Sequence, residues 1–298
     1  MRRRNLLLFS IFNYLYQFFD SFSFLILSVS GLAIIFGMMG IINLAHGEFI
    51  MLGAYAFTIL AKSNVPFFLA VAFSALAVGG FGFAVNLLVI SRLYGRPLDS
   101  VVSTWGISLL LRQGILILIG PALPGFSMPL GSFSVSGSNY SVYRVVLAVL
   151  AILVLIFMYF LFMHTKFGLH SRASMQDSTI AQSLGINTGR MYAVTFMLGS
   201  MFAGLCGALY APTMTITPMM GQAFQNDSFV TVIVGGADPL IGMALAGGTL
   251  GVIQSALSLR FGTFFGKMGL LLVAIIVIRV LPKGLSGLAE KRMAKVKG

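Results

Sequence analysis

Asn43, His46 and Glu48 stand close together in residues 31–55, a stretch that is otherwise almost wholly apolar. Polar and ionisable side chains within lipid are costly, and they usually face a bundle interior or water. Gly47 can release a helix at this point. Glu48 would then open the next helix, near the positive end of its dipole. Two readings stay open. In one, the group is an N-terminal cap at a membrane surface, with His46 an ordinary polar contact. In the other, the helix is broken and Asn43, His46 and Glu48 line a solute path. Metal binding suits the group poorly, because residues two apart lie on different helix faces.

A second stretch, Gly235-Gly-Ala-Asp-Pro-Leu-Ile-Gly242, carries its own breakers. Gly235 and Gly236 free the backbone, and Pro239 removes an N–H. Gly242, Gly247, Gly248 and Gly251 follow and offer a smooth face for close helix packing. The two interruptions lie in opposite halves of the chain. Paired Gly/Pro-interrupted apolar segments suggest internal, inverted repeats around a site near the midplane. No residue-level repeat is visible.

The elements that must hold these residues are membrane helices. Of 298 residues, 58% are hydrophobic and 9% charged, against about a quarter charged in a soluble domain. That excludes an ordinary soluble enzyme and a disordered chain. Residues 67–90, 145–163, 191–211, 240–258 and 261–281 are long apolar runs, and Lys267 and Arg279 interrupt the last. Residues 101–119 form another that carries Arg112, and residues 22–60 are apolar apart from the break. Backbone polar groups cannot stay unpaired in lipid, so the runs are helices. The pattern predicts an all-α integral membrane protein, a polytopic bundle of eight to ten membrane segments forming one domain over residues 1–298.

The net charge of +12 is read as topology, not as a nucleic-acid surface. Basic residues favour the cytoplasmic side. Arg92 and Arg96, then Lys166, Arg172 and Arg190, then Lys283, Lys291, Arg292, Lys295 and Lys297 fall between or beyond apolar runs. Those segments read as cytoplasmic, the C-terminus included. Residues 120–141 and 212–226 have no charge and read as external. The side of Arg2 to Arg4 is not settled. That end reads as retained, since no small-residue cleavage site convincingly follows it. The single cysteine, Cys206, excludes an internal disulfide.

Residues 164–190 are the longest polar stretch between spans. The spacing of Ala173, Ile180, Ala181 and Leu184 predicts one helix over residues 171–184, carrying Arg172 and Asp177. Gly185 would end it. Asn187 or Thr188 would cap the next span. The segment either docks in a groove on another protein or is a solvated connection.

Taken together, Asn43-Leu-Ala-His-Gly-Glu48 with Met51-Leu-Gly-Ala-Tyr55, the Leu-Gly-Ile-Asn that ends at Asn187, Gly235-Gly with Pro239 and Gly242, and Pro282-Lys-Gly284 resemble the permeases of branched-chain amino acid ABC importers, the LivH-type family. The likeness runs from about Gly31 to Gly287. Within that family, Tyr94-Gly-Arg-Pro-Leu98 and Thr104-Trp-Gly-Ile-Ser-Leu109 look like the urea permease branch.

The resemblance implies a single permease domain in a bacterial inner membrane, working by alternating access on branched-chain amino acids, urea or short amides. It implies a second homologous permease subunit, two ATP-binding cassette ATPase subunits and an external solute-binding protein, with no cofactor. It makes residues 164–190 the coupling segment, with Arg172, Ala173, Asp177, Leu184, Gly185 and Asn187 as its marks. It places Thr104 and Trp105 beside Asn43, His46 and Glu48 on the path, although Trp105 could instead be an interfacial anchor.

The chain has no Gly-rich phosphate loop ending in Gly-Lys-Ser/Thr, so ATP energy would arrive from a partner. An ion-coupled transporter would need a relay of intramembrane acids, and only Glu48 is placed for one. A passive channel like the aquaporins would need a second Asn motif, where the chain has Ala-Asp-Pro. A membrane enzyme would need a catalytic motif such as His-Glu-x-x-His, which is absent.

Overall fold

A computed structural model of the chain describes residues 2–236 and 238–288. Ala237 of the second interruption and the basic tail residues Lys291, Arg292, Lys295 and Lys297 lie outside the described residues. The helices are α1 (Arg2–Met39), α2 (His46–Lys62), α3 (Phe67–Leu88), α4 (Pro97–Leu118), α5 (Val142–His164), α6 (Lys166–Gln176), α7 (Ser178–Ser183), α8 (Thr188–Tyr210), α9 (Gly221–Gly235), α10 (Pro239–Phe261) and α11 (Thr263–Val280). Between α4 and α5, β1 (Ser132–Val135) and β2 (Ser138–Ser141) pair as an antiparallel hairpin.

Among the described residues, seven helices are long and apolar enough to cross a membrane. The all-α polytopic architecture is therefore as the apolar runs predict. The expected eight to ten segments are reached only by adding α2 and α9. These have 17 and 15 residues, short of the roughly 20 needed for a crossing. Each lies on one side of an interruption, whose other side is a full-length helix, α1 or α10.

The chain divides into two compact units. One comprises Leu27–Ser127 and Phe157–Phe229. In it, α8 packs along α2 and α3, and the contacts are set by small residues. A Cβ on Gly207 would fall on the Ile50 carbonyl, and one on Gly53 would fall on the Gly204 carbonyl. Gly31 meets the Gly199 carbonyl in the same way, and Gly82 leaves room for the Ser200 side chain. Helices in lipid have no hydrophobic drive to associate, so close backbone approach supplies the attraction. Two further contacts join distant parts of this unit. Leu123 donates its N–H to the Ile216 carbonyl at 2.9 Å. Tyr94 and Tyr192 stack edge to face at 4.9 Å between ring centroids. Tyr94 also exchanges hydrogen bonds with the Asn86 amide at 2.9 and 3.0 Å. Burial raises its phenol above the ordinary value, and the Asn86 bond opposes that.

The other unit is formed by the described parts of Met1–Ile26, Met128–Ile156 and Val230–Gly298. Its core joins Leu25, Val234, Ala246, Leu250, Leu270 and Ala274, with α10 packed on α11. The hairpin is held by aromatic contacts of Phe12 with Phe133 and Tyr140. Ser136 and Gly137 both have positive φ at its turn, as a tight two-residue hairpin requires. Asp20 and Arg144 form an ion pair beside it.

Candidate functional site

The first interruption opens at Gly40, ahead of Gly47. α1 stops at Met39, Gly40 takes φ +63°, and α2 starts at His46. Gly47 sits inside the first turn of α2. Its role is close approach: a Cβ there would fall on the Gly221 carbonyl at the start of α9. The irregular residues 40–45 still have donors and acceptors to satisfy. Asn43 accepts from Ala45 N–H at 3.0 Å through its side-chain oxygen. The Thr104 hydroxyl on α4 accepts from Leu44 N–H at 3.1 Å and donates to the Ser100 carbonyl at 2.8 Å. Thr104 is thus a lateral staple on the break.

His46 lies fully buried, with Nε2 at 2.8 Å from the Ser28 carbonyl of α1. A carbonyl can only accept, so Nε2 carries the hydrogen and Nδ1 of the neutral ring is the acceptor. Nδ1 has no hydrogen-bond partner among the described residues. Glu48 is in the first turn of α2, 1% exposed. Its Oε1 accepts from Arg112 Nη2 of α4 at 2.7 Å, and the Arg112 side chain is 19% exposed. Ser108, one turn earlier on α4, accepts from the same nitrogen at 3.3 Å. Glu48 Oε2, Arg112 Nε and Asn43 Nδ2 are buried without a hydrogen-bond partner among the described residues.

The structure therefore brings Asn43, His46, Glu48 and Thr104 to one interruption. Trp105 stands apart, 56% exposed on the outward face of α4. Arg112 is the member that the sequence reading passed over. A signal for it existed. A charge within a membrane run needs a counter-charge, and Glu48 was the acid that the sequence reading placed inside a run.

The second interruption lies in the other unit and is built differently. α9 ends at Gly235, Gly236 takes φ +91°, and α10 starts at Pro239. The Asp238 carboxylate caps α10, accepting from Leu240 and Ile241 N–H, both at 2.8 Å. Such a cap is worth about 1 kcal/mol. Gly235 and Gly242 face each other across the turn: a Cβ on either would come within 2.8 Å of the other's backbone. Gly236 lies against the turn at Lys283 and Gly284 after α11. Two motifs that were separate in the sequence are thus one contact. This interruption packs against the turn that follows α11. It is a tight capped turn, whereas residues 40–45 form an irregular stretch stapled by Thr104.

Residues 164–190 form two helices where one was expected. α6 ends and α7 begins at Asp177, which is extended at φ −157°. Its carboxylate accepts from Thr179 and Ile180 N–H at 2.8 and 3.0 Å. A short acid that can cap the next helix competes with continuing the previous one. Gly185 follows α7 with φ +86°, and Ile186 N–H reaches back to the Ala181 carbonyl at 3.0 Å. That is the glycine-terminated helix end expected there. Asn187 caps α8, accepting from Arg190 N–H at 2.9 Å. Arg172, Asp177, Ile180, Leu184 and Asn187 are exposed, Ala173 is half-buried, and Ala181 is buried.

Residues 11–281 match the family model described as branched-chain amino acid transport system, permease component. The chain is 27% identical over 278 residues to the high-affinity branched-chain amino acid transport system permease protein BraD of Pseudomonas aeruginosa, covering 87% of this chain and 90% of the relative. It is 25% identical over 281 residues to the permease protein LivH of Salmonella typhimurium, covering 87% and 90%. It is 27% identical over 292 residues to the probable branched-chain amino acid transport permease protein LivH of Methanocaldococcus jannaschii, covering 91% of each. No solved structure matches. With most of its length matched and its apolar helices in place, the chain belongs to the LivH-type family of branched-chain amino acid transport permeases.

Proposed function

We propose that the chain is the membrane-spanning permease subunit of an ABC importer that moves branched-chain amino acids across the inner membrane by alternating access. The observation that carries the reading is the buried, charge-balanced polar cluster at the α1–α2 interruption of an otherwise apolar chain. The substrate reading is supported by the relatives, which are branched-chain amino acid permeases. The chain acts as one permease domain. A second permease subunit, two ATPase subunits and an external solute-binding protein complete the machine. Arg172, Ala173, Asp177, Leu184, Gly185 and Asn187 belong to the surface that meets the ATPases, and the exposed Ile180 and Leu184 support that. Asn43, His46, Glu48 and Thr104 shape the solute path, with Trp105 a lipid-facing anchor. Gly47, Gly235, Gly236, Pro239 and Gly242 are where helices end or meet closely enough to pivot.

Two contacts support the sidedness. The bond between Leu123 and Ile216 ties together the two uncharged connections, which are external in this reading. The Tyr94–Tyr192 stack ties the link bearing Arg92 and Arg96 to the chain just past Arg190, which is cytoplasmic. The basic residues after Pro282 put the C-terminus in the cytoplasm in the same reading.

The test is uptake into liposomes by the full assembly with its binding protein and ATPases. Leucine should accumulate with ATP and not without it. Collapse of the membrane potential with ATP retained should leave uptake intact, and loss would favour an ion-coupled carrier. Flux through the purified chain alone would favour a passive channel. Accumulation of urea or acetamide in place of leucine would move the chain to an amide permease.

A further inference from the structure

We infer that the Glu48–Arg112 pair is the receptor for a zwitterionic solute: Arg112 takes the solute's carboxylate and Glu48 takes its ammonium. The inference rests on the permease reading above and deepens it. Geometry gives the first reason. A guanidinium can grip a carboxylate through two parallel hydrogen bonds, yet here only Nη2 and Oε1 meet, at 2.7 Å. Glu48 Oε2 and Arg112 Nε are both buried with no hydrogen-bond partner among the described residues. A pair serving only the fold would be expected to satisfy these atoms, because a buried unmet polar atom is costly. The pair holds one acceptor and one donor in reserve, which are the complementary functions an amino acid headgroup needs.

Charge gives the second reason. The pair is neutral as a whole, and so is a zwitterion. Inserting the zwitterion replaces one ion pair by two and leaves the net charge of the site at zero. No bare charge is buried at any stage, which is the condition for charged groups at membrane depth. A neutral amide such as urea brings no charge to exchange and would leave the ion pair closed. Access gives the third reason. The Arg112 side chain is 19% exposed and that of Glu48 1% exposed, so an incoming solute meets the cation first. Its carboxylate draws Arg112 away, and its ammonium fills the place opened beside Glu48. Asn43 Nδ2, a buried donor without a partner among the described residues, sits at the same interruption.

The experiment uses the complete assembly in liposomes with leucine as the probe, and reads uptake and ATP hydrolysis together. Glu48→Gln combined with Arg112→Met removes both charges and leaves no lone buried ion, so assembly should survive. We expect leucine uptake to fall by about a hundredfold, from the loss of two charge-assisted contacts. ATP hydrolysis stimulated by the binding protein should continue. Leucine uptake within about threefold of the wild type would overturn the inference and make the pair structural. Arg112→Lys is the second variant, because it keeps the charge but loses the planar fork. It should raise the KM for leucine about tenfold with ATP hydrolysis retained, and an unchanged KM would also overturn the inference. If the wild-type assembly takes up no leucine, the permease reading fails. If the wild type and the neutral double variant both take it up, only the receptor assignment fails.

Discussion

Gly236 and Gly284 touch backbone to backbone, and neither has room for a side chain. Both have positive φ, +91° and +68°. A Cβ on Gly236 would stand 3.0 Å from Gly284 Cα, and one on Gly284 would stand 2.6 Å from the Gly236 nitrogen. The turn between α9 and α10 and the turn after α11 are therefore one joint. Gly284→Ala adds left-handed strain to this clash, of about 1–3 kcal/mol before the clash is counted. The purified chain in detergent should melt several degrees lower. Gly95→Ala, also at positive φ but with nothing near its Cβ position, should cost only the strain. Equal losses in the two variants would show that the joint adds nothing.

Helix contact in the α8 unit can be tested in the same way. Gly207→Val drives a branched side chain into the α2 backbone at Ile50 and Ala54. It should abolish stable insertion or lower the melting temperature sharply, since overpacking alone costs about 1–3 kcal/mol. Gly114→Ala on α4, with open space around it, should be neutral or slightly stabilising. Thermal melting of both variants in one lipid mixture decides the matter.

Thr104 offers a test of the first interruption. Thr104→Val keeps the shape but removes the acceptor for Leu44 N–H, leaving a backbone donor without its bond. The cost is about 1–3 kcal/mol. Uptake should fall along with stability, and Thr104→Ser, which keeps the hydroxyl, should restore most of both. A Val variant with full uptake would show that the staple is dispensable.

The capped kink at Asp177 sets the orientation of α7. Asp177→Ala removes the acceptor for two backbone N–H groups and should cost about 1 kcal/mol locally. Gly185→Val strains the end of α7 at φ +86°. In the assembly, both should reduce stimulation of ATP hydrolysis by the solute-loaded binding protein, and Arg172→Glu should do the same. The ATPase subunits should remain bound. Full stimulation in all three variants would remove this segment from the coupling path.

The apolar runs made the helices legible, because lipid leaves the backbone no other choice. Gly185 and Asn187 were legible as well, since helix ends are local chemistry. Asp177 was misjudged: apolar spacing favoured a single helix, but a side chain able to cap α7 cut it in two. The hairpin was missed because Ser-Phe-Ser-Val and Ser-Asn-Tyr-Ser are too short to stand out in a chain this apolar. At the first interruption, three polar residues pointed to the place. The break itself moved to Gly40, because the left-handed turn that ends α1 needs a glycine and the first turn of α2 needs a flat surface. The Arg112 charge hinted at a partner such as Glu48, but the contact of Gly236 with Gly284 requires the fold.

The span Leu8–Met39 of α1 has 32 residues, about 48 Å at 1.5 Å per residue. The oily slab it crosses is about 30 Å thick. A rod that long must lean or protrude, and how far depends on the acyl chains around it. The same helix carries the Ser28 carbonyl that holds His46. If His46 shapes the solute path as proposed, lipid tail length becomes a mechanical input to it, and uptake should change between thin and thick bilayers with no residue altered.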